Sequence, residues 1–296
     1  MKVLFVINPK SGKKEGGNFE AVISEKSRQQ GFQFLIHRLH KDISEKEILD
    51  EVKEYQPDII AAAGGDGTVN FLSRLLINQP IPLLIVPLGS ANGMAKELGI
   101  PNVEFSLNLI SKGVKKNIDV LNINQKLCIH LADVGLNARV VKRFENDSRR
   151  GITTYARHLF NEIFLIKKYR FYITLDDGPD IIRKAISLTF ANASKYGTGA
   201  VINPLGKVDD GQFELVIIKP FPRIKLLSIA WKMFTGKLNT SEYAEVLTCK
   251  KAKIRTSKRT TLQIDGEVIG KLKEFEMEIL PHALPVIVPE TAEDRS

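Results

Sequence analysis

Seven consecutive residues, Gly64-Gly65-Asp66-Gly67-Thr68-Val69-Asn70, combine three glycines with one carboxylate. Glycines let backbone N–H groups approach a bulky anion, and a helix starting there adds a field favourable to phosphate. Asp66 would repel a polyphosphate in that setting unless it holds a metal ion, takes a proton or orients a hydroxyl. All three are phosphoryl-transfer chemistry; a strand-to-helix turn capped by Asp66 is the plain alternative. Two further loops of small residues have the same character: Asn8-Pro9-Lys10-Ser11-Gly12, and Pro87-Leu88-Gly89-Ser90-Ala91-Asn92-Gly93. Neither a Walker segment nor a G-x-G-x-x-G after a strand is present, so phosphate binding of those two kinds is excluded.

The second half of the chain carries its own carboxylates. In Asp265-Gly266-Glu267 the glycine allows a sharp turn that can aim both acids into one cleft. A carboxylate held there could take the proton of an acceptor hydroxyl late in a loose transition state, although the same triplet also suits an ordinary hairpin. Lys207-Val208-Asp209-Asp210-Gly211-Gln212 reads as a hairpin turn ahead of a strand. Asp133 sits in an apolar run, placed either to bind a polar group or to cap a following helix. The five histidines are too scattered for a transition-metal site, and two cysteines, Cys128 and Cys249, are too few for a disulfide framework.

Short β-rich runs alternate with helical patterns through the first part. Residues 3–7 read as a buried strand ending at Asn8-Pro9, 18–30 as a helix stopped by Gly31, and 32–39 as a strand. Ser44 and Glu47 have capping-box spacing for a helix to about Tyr55, before a strand at 58–63. A helix at 68–77, a strand at 82–86 and a helix from about Ser90 to Leu98 complete the series. Such alternation predicts a parallel, doubly wound α/β sheet, in which ligands bind outside the carboxyl ends of the strands, where all three small-residue loops fall.

Beyond Lys115 the pattern changes. Runs at 118–123 and 127–134 lie too close for a crossover helix, and further β-rich runs follow at 171–175, 185–192, 212–218, 252–256, 260–264 and 274–280, with one long helix over 153–169. This predicts a β-rich antiparallel sandwich or barrel. The expected domains are therefore 1–115 and 116–282, with the apolar strand at 284–288 packing back on the first.

Of 296 residues, 43 are Lys or Arg and 34 Asp or Glu, a net charge of +9 that suits an anionic partner. No apolar run approaches the ~18 residues of a spanning helix, and the apolar run at 3–7 is too short for a secretory signal, so a cytoplasmic protein is expected. Residues 221–238, FPRIKLLSIAWKMFTGKL, mix Lys, Arg, Trp and Phe as an interfacial helix does, or as a core-facing helix with solvated lysines does.

Taken in order, NPKSG at 8–12, GGDGTVN at 64–70, PLGSANGMA at 87–95, DVGLNA at 133–138 and DGE at 265–267 resemble the diacylglycerol kinase catalytic domain family, lipid kinases that include sphingosine kinases. The resemblance spans nearly the whole chain. It implies an α/β nucleotide domain of NAD kinase/diacylglycerol kinase type, a β-rich C-terminal domain, a nucleotide cleft between them, and transfer of the ATP γ-phosphate to a lipid hydroxyl. It places Asn8, Gly65, Asp66, Gly67, Thr68, Asn70 and Ser90 around ATP, with Pro9, Lys10, Ser11, Gly12, Gly64, Gly89 and Asn92 completing the loops. Glu267 matches the usual candidate base, Asp66 the carboxylate favoured in the sphingosine kinase branch, and Asp265 shares the turn. Asp210 with the carbonyls of Lys207 and Gln212 matches a structural Mg²⁺ site. Asp133 and Asn137 match positions lining the lipid cleft. Where bacterial members often read GTxND, this chain reads GSANG, closer to the sphingosine kinase GSxN, which bears on the acceptor lipid. The expected partners are ATP and a lipid at the inner membrane surface, without nucleic acid, with a homodimer left open. A soluble NAD-type kinase and a non-catalytic lipid or nucleotide sensor are the alternatives, and DGE together with NPKSG argues for the lipid branch.

Overall fold

A computed structural model of the protein describes residues 1–9, 11, 19–40, 44–136 and 167–291. It divides into two compact units: Met1–Ile118 together with the segment from His282 onward, and Asp119–Pro281.

In the first unit, β1 (Lys2–Ile7), α1 (Phe19–Gln30), β2 (Gln33–Arg38), α2 (Glu45–Tyr55), β3 (Ile59–Gly64), α3 (Asp66–Leu76), β4 (Leu83–Pro87) and the short α4 (Gly93–Glu97) follow one another. β1 pairs in parallel with β2 and β3, and β3 with β4. The strands are apolar because helices cover both faces of such a sheet: β3 and β4 are buried at every position. The Ser44–Glu47 box caps α2, the Ser44 hydroxyl accepting from the Glu47 N–H at 3.2 Å while the Glu47 carboxylate accepts from the Ser44 N–H at 3.4 Å. Phe5 on β1 stacks edge-on against Phe19 of α1, ring centres 6.5 Å apart, and also meets Phe32 and Phe34.

Sequence reading missed α5 (Val103–Lys112). Pro101 looked like the end of the helical region, whereas Asn102 restarts it, its side chain accepting from the Phe105 N–H at 2.9 Å. β5 (Val114–Ile123) leads onward. The C-terminal part of β14 (Glu267–Val288) belongs to this unit: Val286 is fully buried and pairs in parallel with Leu83 of β4.

The second unit is antiparallel. β5 turns at Asn124-Gln125, both with positive φ, into β6 (Lys126–Cys128), and β7 (Leu131–Gly135) follows; the expected single strand over 127–134 is thus broken at 129–130. β8 (Tyr169–Leu175), β9 (Ile181–Ala185), β10 (Ser187–Ala191), β11 (Phe213–Ile218), α6 (Leu226–Phe234), β12 (Ala244–Cys249) and β13 (Lys251–Ile264) complete it with β14. β9 and β12 were not expected from the sequence; both are half-exposed and lack a long apolar run. The runs expected at 252–256 and 260–264 form one strand, β13, whose register with β14 breaks between Arg255 and Thr260. β13 changes partner along its length, meeting β8 over Ala252–Thr256 and β7 over Leu262–Ile264. A strand that switches partners in this way lets a sheet fold over into a sandwich. Phe171, Phe190, Phe213 and Phe275 are fully buried in its core, Phe190 and Phe275 with ring centres 6.2 Å apart. The helix expected over 153–169 lies outside the described residues except at its end, where Tyr169 opens β8.

Val286→Asp sets an unpaired charge beside β4 and should destabilise the protein by more than ~3 kcal/mol. Urea unfolding followed by far-ultraviolet circular dichroism reads this directly; an unchanged midpoint would show that the late strand is not part of the first unit's core.

Candidate functional site

In the first unit the three loops expected to hold nucleotide meet at the carboxyl ends of β1, β3 and β4. The closest approach joins the second and third. A Cβ built on Gly89 would lie 2.5 Å from the Cα of Gly65 and 2.7 Å from Oδ1 of Asn92, so only glycine at 89 lets the two backbones touch. Gly64 faces the Thr68 side chain just as closely, and the Leu88 N–H donates to the Gly64 carbonyl at 3.0 Å. Gly65 is the residue before α3 and offers no side-chain cap, which leaves that helix end to other partners. The first loop joins through Asn8, whose Nδ2 donates to Oγ1 of Thr68 at 3.3 Å and whose backbone N–H donates to the Ala63 carbonyl at 2.9 Å. Pro9 is exposed and Ser11 half-buried, the Ser11 N–H donating to the Asn8 carbonyl. Lys10 and Gly12 lie outside the described residues.

Asn92 does not point outward. In a left-handed conformation (φ 50°) it donates from Nδ2 to the Gly89 carbonyl at 2.8 Å and accepts at Oδ1 from the Gly89 N–H at 2.9 Å. It therefore shapes the loop that presents Ser90, which is exposed, as is Gly67. Asp66 caps no turn of its own helix; its Oδ1 accepts from the Met94 N–H at 3.4 Å. Asn70 is buried, and its Nδ2 has no hydrogen-bond partner among the described residues. A buried amide donor without an acceptor, on the helix that these Cβ-excluding loops open, suits a phosphate oxygen. The residues present thus fit a nucleotide's phosphates.

In the second unit the DGE turn is a tight hairpin between β13 and β14, Asp265 and Gly266 both having positive φ. The Asp265 carboxylate accepts from the N–H groups of Ile129, His130 and Leu131 at 3.0, 3.0 and 3.1 Å and from the Cys128 thiol at 3.2 Å. Burial pushes its carboxyl above the ordinary value, and the Ile129 N–H is foremost among the groups that pull it part of the way back. Asp265 is thus the clamp on the 128–131 turn, while Glu267, past the hairpin, is exposed.

Asp133 is fully buried on β7. Its Oδ1 accepts from the Thr189 hydroxyl at 2.5 Å and the Tyr196 hydroxyl at 2.7 Å, and its Oδ2 from Nε2 of Gln263 at 2.5 Å. Oε1 of Gln263 in turn accepts from the Gly266 N–H at 2.7 Å. Gln263 thereby joins Asp133 to the DGE turn. Thr189, Tyr196 and Gln263 were not singled out from the sequence, although Gln263, a polar residue inside the apolar end of β13, was the available signal. Asn137 lies outside the described residues.

The 207–212 loop hangs on Asp119, another residue that was not singled out. Asp119 is fully buried, donates its N–H to the Val208 carbonyl at 2.6 Å and accepts at Oδ2 from the Gly211 N–H at 2.6 Å. Asp210 is exposed, its Oδ1 accepting from the Gln212 N–H at 3.0 Å. No group of three or more His, Cys, Asp or Glu side chains able to hold a metal occurs among the described residues. One exposed carboxylate with the Lys207 and Gln212 carbonyls is a hard-oxygen set, suited to Mg²⁺ only with water filling much of the shell. The cysteines offer no covalent chemistry: burial pushes both thiols up, Cys249 to about 12, so neither is a thiolate at neutral pH.

Asp265→Ala should leave three backbone donors without acceptors and cost about 3 kcal/mol or more, whereas Glu267→Ala should change stability by less than ~0.5 kcal/mol. Urea midpoints of the two variants check the contrast, and equal midpoints would mean that the clamp is not needed.

Comparison with known proteins identifies the family. The profile of the diacylglycerol kinase catalytic domain matches residues 2–123, and that of the YegS C-terminal NAD kinase beta sandwich-like domain matches residues 131–288. The chain is 30% identical over 254 residues to a probable lipid kinase YegS-like protein of Pectobacterium atrosepticum, covering 82% of each, and 23% identical over 294 residues to a diacylglycerol kinase of Bacillus subtilis, covering 97% of each. It spans only 59% of a longer relative, the uncharacterized protein sll0036 of Synechocystis, at 29% identity over 82% of its own length. The crystal structure of a diacylglycerol kinase from Bacillus anthracis shares the fold with a TM-score of 0.72 at 20% identity, covering 97% of this chain and 96% of that one. An NAD kinase from Archaeoglobus fulgidus in complex with ATP is a more distant likeness of fold, TM-score 0.54 at 14% identity over 99% and 95% of the two chains. With a diacylglycerol kinase catalytic domain followed by a YegS-type C-terminal domain, the chain belongs to the family of YegS-like and diacylglycerol kinase-like lipid kinases.

Proposed function

We propose that this protein transfers the γ-phosphate of ATP to the hydroxyl of a lipid, diacylglycerol or a close relative of it, as a cytoplasmic enzyme that visits the inner membrane surface. The observation that carries the reading is the close approach of Gly65 and Gly89, which brings two glycine-rich loops together at the start of α3, the helix that also carries the orphaned amide of Asn70. No described helix is long and apolar enough to cross a membrane.

In this reading the N–H groups at the start of α3, the exposed edge of Ser90 and the Asn70 amide hold phosphate oxygens. Asn8 keeps Thr68 in place, and Asn92 keeps the Gly89 turn. Asp66 orients the acceptor hydroxyl or would hold a metal ion, and Glu267 receives the acceptor's proton as the new P–O bond forms and the bond to the leaving ADP breaks. Asp265, bound to the 128–131 turn, and Asp133, through Gln263, fix the hairpin that presents Glu267; they are positioning residues. Mg²⁺ would supply charge neutralisation at the phosphates, and a second, structural ion would be held by Asp210 with the Lys207 and Gln212 carbonyls. The GSANG loop lacks the carboxylate of GTxND at Gly93, so the acceptor is the detail most in need of direct assay.

Turnover of ATP with diacylglycerol, monoacylglycerol, phosphatidylglycerol, sphingosine, ceramide and NAD tests the assignment. Phosphorylation of a lipid is expected; phosphorylation of NAD alone, or of nothing, would refute it. Asp66→Asn, which changes charge and not volume, should lower kcat/KM at least ~100-fold in a folded protein. Glu267→Gln should keep ATP binding and the melting temperature and lose mainly kcat; a normal kcat would move the proton-accepting role to Asp66. Asp210→Ala should abolish any rise in melting temperature caused by Mg²⁺ without ATP, since an ion bound only by the native state stabilises it. A Mg²⁺ response equal to the parent's would exclude the structural ion at this loop.

A further inference from the structure

The helix α6 has two apolar faces. On one, Ile229 is buried and Leu226 and Met233 pack with Val216, Ile218 and Leu238 of the second unit's core. The other is bare: Ile224, in a 3-10 turn at Arg223–Lys225, is 85% exposed, and Leu227, Trp231 and Phe234 are 81, 70 and 65% exposed. Their spacing of three, four and three residues sets them along one stripe. A surface helix ordinarily turns polar residues outward, so four large side chains aligned in solvent mark a surface that something covers.

The charges around the stripe identify the cover. Between residues 220 and 241 there is no Asp or Glu, while Arg223, Lys225, Lys232 and Lys237 occur there. Arg223, Lys225 and Lys237 are exposed, and Lys232 anchors the end of the helix by donating from Nζ to the Thr240 carbonyl at 2.9 Å. A second copy of the chain would bring the same basic residues against themselves. An apolar ridge flanked by basic residues, with no acidic residue between 220 and 241, is complementary to a layer that is negative outside and hydrocarbon beneath.

We propose that α6 with its preceding turn is a membrane-docking element, in which Ile224, Leu227, Trp231 and Phe234 enter the acyl region of an anionic phospholipid bilayer while Arg223, Lys225 and Lys237 meet its phosphates. This rests on the lipid-kinase reading for its purpose and names the device that brings the enzyme to its substrate. The sequence poses core-facing and membrane-facing readings of this helix; the structure packs one side of it in the core and leaves the other exposed.

Trp231 is the only tryptophan in the chain, so its fluorescence reports this surface directly. With vesicles of equal parts phosphatidylcholine and phosphatidylglycerol, the full chain should show a blue-shifted Trp231 emission that is quenched by brominated acyl chains. Pure phosphatidylcholine should give much weaker binding, and raised salt should weaken binding to the mixed vesicles. Leu227→Glu with Phe234→Glu should lower the vesicle partition coefficient at least ~10-fold, and Lys225→Gln and Lys237→Gln about fivefold each. These side chains are in solvent, so circular dichroism and melting should be unchanged. Cosedimentation with vesicles while Trp231 emission stays fixed would overturn the proposal by placing the contact elsewhere, and a blue shift that follows protein concentration without vesicles would overturn it in favour of a second copy. Binding is read without ATP: a chain that docks but phosphorylates no lipid sinks the kinase reading alone, and one that phosphorylates detergent-dispersed lipid but whose Leu227→Glu/Phe234→Glu variant binds vesicles normally sinks the docking alone.

Discussion

Backbone donors in turns and at strand ends need acceptors, and in the second unit aspartates that reach across the sequence supply several of them. Asp265 takes three N–H groups of the turn between β6 and β7; Asp119 takes the Gly211 N–H at the start of the 211–218 segment; Asp176 takes the N–H groups of Lys250 and Lys251 where β12 gives way to β13, both at 2.8 Å. Each carboxylate joins a turn to a strand far from it in sequence. A sandwich built of short strands has many such turns, and these contacts fix where each strand starts.

The same habit explains why carboxylates in this chain divide so cleanly by role. Asp133 and Asp265, each accepting from three or more donors, have their lone pairs directed at the protein itself. Asp66 and Asp210 accept one backbone N–H each in the contacts described above, and Asp210 and Glu267 face solvent. In the proposed reaction the substrate would meet carboxylates of the second kind, with those of the first kind holding the surrounding turns.

How much could be read in advance follows from how local each signal was. The glycine loops were legible because a strand-to-helix turn that excludes Cβ atoms is specified by adjacent residues, and the capping box of α2 for the same reason. β9 and β12 were not, because half-exposed strands carry no apolar run and are defined by their neighbours in the sheet. α5 was hidden by Pro101, whose breaking effect Asn102 cancels one residue later. Asp265 was read as a partner of Glu267 because they are two residues apart, whereas its environment is set by residues 128–131, over a hundred positions away. Thr189 and Tyr196 became neighbours of Asp133 only through the pairing of β10 with β7.

The pairing of Val286 with Leu83 bears on how the chain is made. β4 leaves the ribosome early, with four consecutive apolar residues, Leu83 to Val86, that are buried in the finished unit. Its partner β14 is synthesised only after the whole of the second unit. For that interval one side of β4 is an open strand edge, the kind of surface that invites pairing with other chains. The edge of β4 is closed, and the first unit completed, only once the C-terminal part of β14 has been made.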